Sequence, residues 1–354
     1  MNIISDYNQD IRSKKPVPGS YEWWYFDAIS DDGTGIVIIF YDGNPFSKRY
    51  INSIDRDKQT TANSFPALSI SVYKKGAPVY YGFHEVAKDN AHFSEEKPTG
   101  NVGQSNFSGE ITDGKLSYVV NLNQSNPNGD SIKGNLTFSS AEFNGLLNGS
   151  NVKSADQKHS WNLIQPRAAV HGQIDIQGHK SHSFNFDGVG YHDHNVGHEP
   201  MKNSFHEWYW GRYHFEDSTL IYYLMNSTDG WDKKGWLITK SGEIEESSKV
   251  ELKENGTSLF GLSSYRTIEF AGAGFKAFLQ KDRLIDNGPF YQRFSGTMIL
   301  ERNSKIKRAI GISEYIFPSR IYNRLFWPLV DMRINYPGKT HWVQRSPVLY
   351  RWTW

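Results

Sequence analysis

Short runs of alternating apolar and polar residues, each closed by turn chemistry, fill this chain, and almost nothing in it recurs at helical spacing. Gly35-Ile36-Val37-Ile38-Ile39-Phe40-Tyr41 stops at Asp42-Gly43-Asn44-Pro45, and Ala67-Leu68-Ser69-Ile70-Ser71-Val72-Tyr73 stops at Lys74-Lys75-Gly76. Lys115 to Leu122 runs into Ser125-Asn126-Pro127-Asn128-Gly129-Asp130. The same grammar returns at 219–225, 235–240, 266–270, 274–279 and 296–301. The best helical candidate is Ser319 to Arg333, where Ile321, Leu325, Phe326, Leu329 and Met332 recur at three and four, with Pro328 interrupting. Closely spaced strands with so little helix predict an all-β protein built of antiparallel barrels or sandwiches. A chain of 354 residues suits two domains. The break is expected near Pro200, giving domains 1–200 and 201–354. The Asn, Ser and Gly enrichment at 123–160 reads as long loops.

Composition narrows the function. With 39 basic against 38 acidic residues there is no electrostatic footprint for nucleic acid. Cysteine is absent, which excludes disulfides, thiolate metal sites and a cysteine nucleophile. Aromatics make up 15% of the chain, with 11 Trp, enough to wall a cavity as well as to build strands. The N-terminal stretch has no apolar core of signal-peptide length, and no window approaches about 18 apolar residues. Triplets such as Asn135-Leu136-Thr137 and Asn148-Gly149-Ser150 read as turn chemistry. A cytoplasmic protein is expected, with peripheral contact with a membrane left open.

Three segments could carry chemistry: Glu22-Trp23-Trp24-Tyr25-Phe26-Asp27, Gly188-Val189-Gly190-Tyr191-His192-Asp193-His194-Asn195-Val196-Gly197, and Glu207-Trp208-Tyr209-Trp210-Gly211-Arg212. If the second is a strand, Tyr191, Asp193 and Asn195 share one face and His192 and His194 the other. In the third, Trp208, Trp210 and Arg212 share a face. A Tyr-Asp-Asn row facing a Trp-Trp-Arg row would make an aromatic pocket with a few convergent polar groups. The plainer alternatives are core packing for the aromatics and a turn at Asp193-His194-Asn195. His192, His194 and His198 also have a spacing that zinc could use, but Asp193 points away from it in a regular strand, so no metal is expected. His84, His171 and His206 read as partners of backbone or Tyr. Gly272-Ala273-Gly274 precedes no helix, so it is no nucleotide loop, and a Gly-x-Ser-x-Gly elbow is missing.

At these residues the chain resembles the carotenoid hydratase (hydroxyneurosporene synthase-like) superfamily, which includes fungal Diels–Alderase-like proteins. The matching elements are the three segments above together with Pro166-Arg167-Ala168-Ala169-Val170-His171-Gly172, Gly288-Pro289-Phe290-Tyr291-Gln292-Arg293 and Gly311-Ile312-Ser313-Glu314-Tyr315. The resemblance implies two lipocalin-like (calycin) β domains, a ligand site near or between them, and cofactor-free chemistry on a hydrophobic polyene or isoprenoid. It maps the family's Tyr-x-Asp onto Tyr191 and Asp193, the expected catalytic pair. It maps the Trp-x-Trp-x-Arg pattern onto Trp208, Trp210 and Arg212. With Trp23, Trp24, Asn195, Tyr291 and Glu314, these are the expected substrate-contacting residues.

Hydrating or cyclising an unactivated alkene requires a strong acid in a dry place, and Asp193 suits that role if aromatic walls keep it protonated. Tryptophan faces could then stabilise the carbocation. A pericyclase would need only orientation and a donor such as Arg212 or Tyr191. A lipocalin-type carrier would use the same pocket without chemistry.

Overall fold

The computed structural model describes residues 2–56, 59–143, 158–258 and 261–354. The chain forms two compact units, Met1–Met201 with Trp327–Trp354, and Lys202–Phe326. Among the described residues each unit is organised on one curled, largely antiparallel sheet, thirteen-stranded in the first and nine-stranded in the second. The all-β, two-lipocalin expectation holds.

Both sheets are joined in the same way. In the first, hairpins carry the chain from Tyr21–Ser30 outward through Thr34–Tyr41, Ala67–Lys74 and Ala77–Glu85. A second meander then returns through Lys115–Ser125, Ser131–Ala141 and His159–Gln177, until His182–Gly197 pairs with Tyr21–Ser30. In the second unit Glu207–His214 starts the hairpins, and the closing strand Lys305–Ile316 pairs back onto it. The first and last long strands of each unit therefore lie side by side, and they carry the motifs singled out above.

Alternation decides which side chains enter each core. Trp24, Phe26, Ile38, Phe40, Tyr118 and Phe138 fill the first interior; Tyr209, Tyr213, Tyr222, Phe270, Phe294 and Tyr315 fill the second. Each fully buried apolar side chain contributes about 1.5–3 kcal/mol. Pro166 stands inside a central strand, which costs a ladder hydrogen bond, and the register shifts between Leu163 and Gln165 and between Gln165 and Ala168 absorb it. Gly197 is needed for space: a Cβ there would sit 2.0 Å from the Tyr21 ring that crosses it.

The structure differs from the sequence reading at four places. Residues 327–354 pack with the first unit, not with the second domain, because Ile334 pairs in parallel with Phe83. The stretch 319–333 is helical only in pieces, with an α-helix at Trp327–Arg333 after 3-10 turns. Leu325 is 77% exposed, so no continuous apolar face exists there, and Pro328 lies in the helix's first turn, where its missing N–H costs nothing. The 123–160 region contains the strand Ser131–Ala141, while Asn148-Gly149-Ser150 lies outside the described residues. A helix at Lys48–Arg56 was not expected; Ser47 Oγ accepts from the Tyr50 N–H at its start, and Tyr50 and Ile51 are buried.

Candidate active site

His182–Gly197 is a regular strand through the Tyr-x-Asp motif, so the turn reading fails and the face assignment holds. Asp193 is 3% exposed. The Tyr191 hydroxyl donates to its Oδ2 at 2.6 Å, the Trp161 indole N–H to the same oxygen at 2.8 Å, and the Asn195 amide to Oδ1 at 2.9 Å. Trp161 arrives because its strand pairs Trp161 with Asn195. The Trp161 nitrogen also lies 3.2 Å from the Tyr191 hydroxyl, which closes a tight triangle.

Rings surround this carboxyl on the same face. Tyr25 pairs with Asp193 in register and meets the Tyr191 ring edge-on at 6.1 Å. Trp23 pairs with Asn195 and stacks on Tyr21 at 5.3 Å. The Tyr21 hydroxyl lies 3.1 Å from His159 Nδ1, and burial lowers the His159 pKa to about 3, so its ring is neutral. The face thus combines two buried carboxyls, Asp193 under three donors and Asp27, which pairs in register with Tyr191 and accepts from the Tyr25 hydroxyl at 3.1 Å, with five aromatic side chains.

The opposite face of the same strands carries a different network. His192 stacks on Phe26 at 3.9 Å and His194 on Trp24 at 4.5 Å. His192 Nε2 lies 3.1 Å from Asp10 Oδ2, which also accepts from the Tyr118 hydroxyl. His194 stands between Asp10 Oδ1 at 3.3 Å and Glu22 Oε1 at 2.8 Å. Burial would raise the Glu22 pKa, but Lys15 and His194 together outweigh it and hold Glu22 below its ordinary value. Lys15 bridges Glu22 to Asp42, and Arg12 pairs with Asp42 at 2.6 Å at the rim of a polar cleft of about 590 Å³. Trp24 belongs to this interior and does not join Asp193, because the strand's period of two sends it to the other face.

In the second unit Trp208, Trp210 and Arg212 share a face, as expected; they alternate with the core residues Tyr209 and Tyr213, so that face points away from the unit's core, and all three are buried. Trp210 pairs in register with Glu314, and the Arg293 guanidinium donates to Glu314 Oε1 at 2.9 Å. Arg293 also lies 5.2 Å from the Tyr291 ring centroid. Tyr291 and Glu314 therefore share one ion-paired aromatic patch. The Tyr191 group and the Trp208 group belong to different compact units.

Sequence reasoning missed Trp161, Asp10, Arg293 and Lys281. The Lys281 amine is buried in the second core over the rings of Tyr209, at 4.5 Å, and Phe294, at 4.9 Å, with no hydrogen-bond partner among the described residues. Burial lowers its pKa to about 7, Arg266 adding to the effect and Glu207 opposing it. No group of three or more His, Asp or Glu among the described residues is arranged to hold a metal ion.

Two curled antiparallel sheets with a buried carboxyl among aromatic rings place the protein among the lipocalin-like two-sheet β proteins. Solved structures agree on the fold: CghA with Sch210972 superposes with a TM-score of 0.58 at 12% identity, covering 85% of this chain and 89% of that one. Kievitone hydratase from Nectria haematococca gives 0.54 at 13% identity, over 88% and 93% of the two chains. The chain belongs to the carotenoid hydratase CrtC family, whose model matches residues 38–345. It is 28% identical over 360 residues to a hydroxyneurosporene dehydrogenase of Chlorobaculum tepidum, covering 96% of this chain and 93% of that protein. An acyclic carotenoid 1,2-hydratase of Thiocapsa roseopersicina is 26% identical over 65% of this chain and 53% of its own length. The quinolone epoxide rearrangement protein asqO of Emericella nidulans is 25% identical over 64% and 59%. Membership of that family makes the protein an enzyme of the hydratase type.

Proposed function

We propose that the protein acts on an acyclic, hydrophobic isoprenoid polyene and begins by protonating one of its double bonds with Asp193. The observation that carries this reading is the clasped carboxyl. Burial among rings disfavours charge on Asp193, while its three donors favour charge. A buried carboxyl held in place by three donors and walled by rings is positioned to give a proton to a bound alkene and take one back. The proton passes from the carboxyl to an alkene carbon, the π pair forms the new C–H bond, and a tertiary cation remains. Trp23, on the same face, presents a ring that stabilises such a cation by roughly 0.5–2 kcal/mol. Water adds to the cation and returns a proton to Asp193, giving an alcohol; attack by an internal double bond instead gives a ring and a new cation, which becomes neutral when an adjacent C–H gives its proton back to Asp193 and leaves its electron pair as a double bond. No cofactor enters this scheme.

Tyr191 and Asn195 orient the carboxyl, and Trp161 joins them. For the second unit, Trp208, Trp210, Arg212, Tyr291 and Glu314 are proposed as substrate-contacting side chains. Their variants should raise KM more than they lower kcat. The test of the catalytic role is Asp193→Asn, which keeps the shape and the Asn195 and Trp161 neighbours but removes the dissociable proton. The expected result is a kcat loss of about 10²–10⁴-fold with substrate binding retained. An active, stable Asp193→Asn protein would end the acid assignment and favour a pericyclic reading.

A further inference from the structure

Residues 327–354 are fastened to the first unit by one set of side chains and leave another set in water. The fastening set is clear. Tyr336, Val343 and Tyr350 are buried, Tyr81 meets the rings of Tyr350 and Trp354 at 6.3 Å, and Arg351 pairs with Asp130 at 3.1 Å. Arg333 donates to the Thr353 carbonyl at 2.6 Å.

The outward set has no role in that attachment. Trp342 is 65% exposed, Val348 58%, Leu349 37% and Trp352 83%. All four lie within eleven residues, in or beside the turns Trp342–Arg345 and Tyr350–Thr353, which pack on each other and on the helix Trp327–Arg333. Isolated exposed apolar residues are ordinary, but two tryptophans and two aliphatics exposed so close together mark a contact surface.

Charge selects the occupant. Residues 332–354 contain no Asp or Glu, while they contain Arg333, Lys339, Arg345 and Arg351. Arg333 and Arg351 are engaged within the unit, whereas Lys339 and Arg345 are exposed. Tryptophan beside lysine and arginine, in a stretch of sequence without Asp or Glu, is the chemistry that seats at the headgroup level of a bilayer. A second copy of the same face would set these cations against their like, which costs instead of contributing.

We propose that this face docks reversibly on an anionic phospholipid bilayer, with Trp342 and Trp352 at the headgroup boundary and Lys339 and Arg345 against lipid phosphates. Such a surface gives access to a water-insoluble substrate, but the proposal does not rest on the Asp193 chemistry. No helix among the described residues is long and apolar enough to cross a membrane.

The test is co-sedimentation of the full chain with phosphatidylcholine vesicles, with and without phosphatidylglycerol, at low and raised salt. Phosphatidylglycerol should increase the bound fraction about tenfold or more, the effect of two cations at an anionic surface, and salt should reverse it. Trp342→Ser with Trp352→Ser should abolish binding to both vesicles. Lys339→Glu with Arg345→Glu should remove only the phosphatidylglycerol dependence. Unchanged thermal melting of both variants establishes that they fold. The proposal is overturned if the chain binds neither vesicle, if the folded tryptophan variant binds as well as the parent, or if sedimentation velocity shows a dimer that the tryptophan variant dissolves.

Discussion

In the first unit the strand bearing Glu22, Trp24 and Phe26 pairs with the strand that closes the sheet, and in the second the strand bearing Tyr209 and Tyr213 does the same, yet the two interiors are charged in opposite styles. The first holds three carboxylates, an ammonium, a guanidinium and two imidazoles linked in one chain from Tyr118 to the rim of a cleft. Among the described residues the second holds one amine, Lys281, over two rings and without a hydrogen bond. Like connectivity therefore does not dictate like contents. A linked network stabilises the arrangement around it, and its members cannot be removed singly without loss. A solitary buried amine costs free energy that cation–π contact recovers only in part.

The difference has consequences of graded size. The largest concerns pH. Lys281 titrates at 10.5 when unfolded and about 7 when folded, so between those values the unfolded chain takes up a proton that the folded chain does not. Stability contributed by the neutral amine is complete above the upper value and is lost as pH falls through the window, by at most about 5 kcal/mol. Urea denaturation across that range should show the slope, and Lys281→Met should flatten it. Next comes Glu22→Gln, which strips Lys15 and His194 of a buried partner and should cost about 3–5 kcal/mol. At neutral pH Lys281→Met should act in the opposite direction, stabilising by about 1–4 kcal/mol, since an apolar chain of similar volume replaces a buried charge. A loss of stability in Lys281→Met would show that the amine has a partner that offsets its burial. The smallest effect belongs to Trp342→Ser with Trp352→Ser, which should leave stability within about 0.5 kcal/mol because both rings lie in water.

What the sequence revealed follows the same physical division. Alternation within one strand is local, so the sharing of a face by Tyr191, Asp193 and Asn195 was legible, as was the separate face of Trp208, Trp210 and Arg212. The same rule places Trp24 opposite Trp23, and grouping both with Asp193 ignored it. Trp161 was invisible because its contact depends on pairing with Asn195 across a register containing two irregularities, which no local pattern encodes. Asp10 reaches the histidines from a segment with no periodicity at all. Lys281 lies where the ladder shifts between Lys281 and Arg283, and a bulge redirects side chains without announcing itself in composition. The helix Lys48–Arg56 could have been found, since Ser47 is a good cap and Tyr50, Ile51 and Ile54 fall at helical spacing.

The central claim is that Asp193 delivers a proton to carbon. Its most direct test is turnover of an acyclic carotenoid in heavy water, with mass analysis of the product. Parent protein should place one deuterium on carbon for each turnover, and Asp193→Asn should make that product about 10²–10⁴-fold more slowly. Product formed at full rate without deuterium on carbon would contradict the acid mechanism and leave a pericyclic reaction in its place.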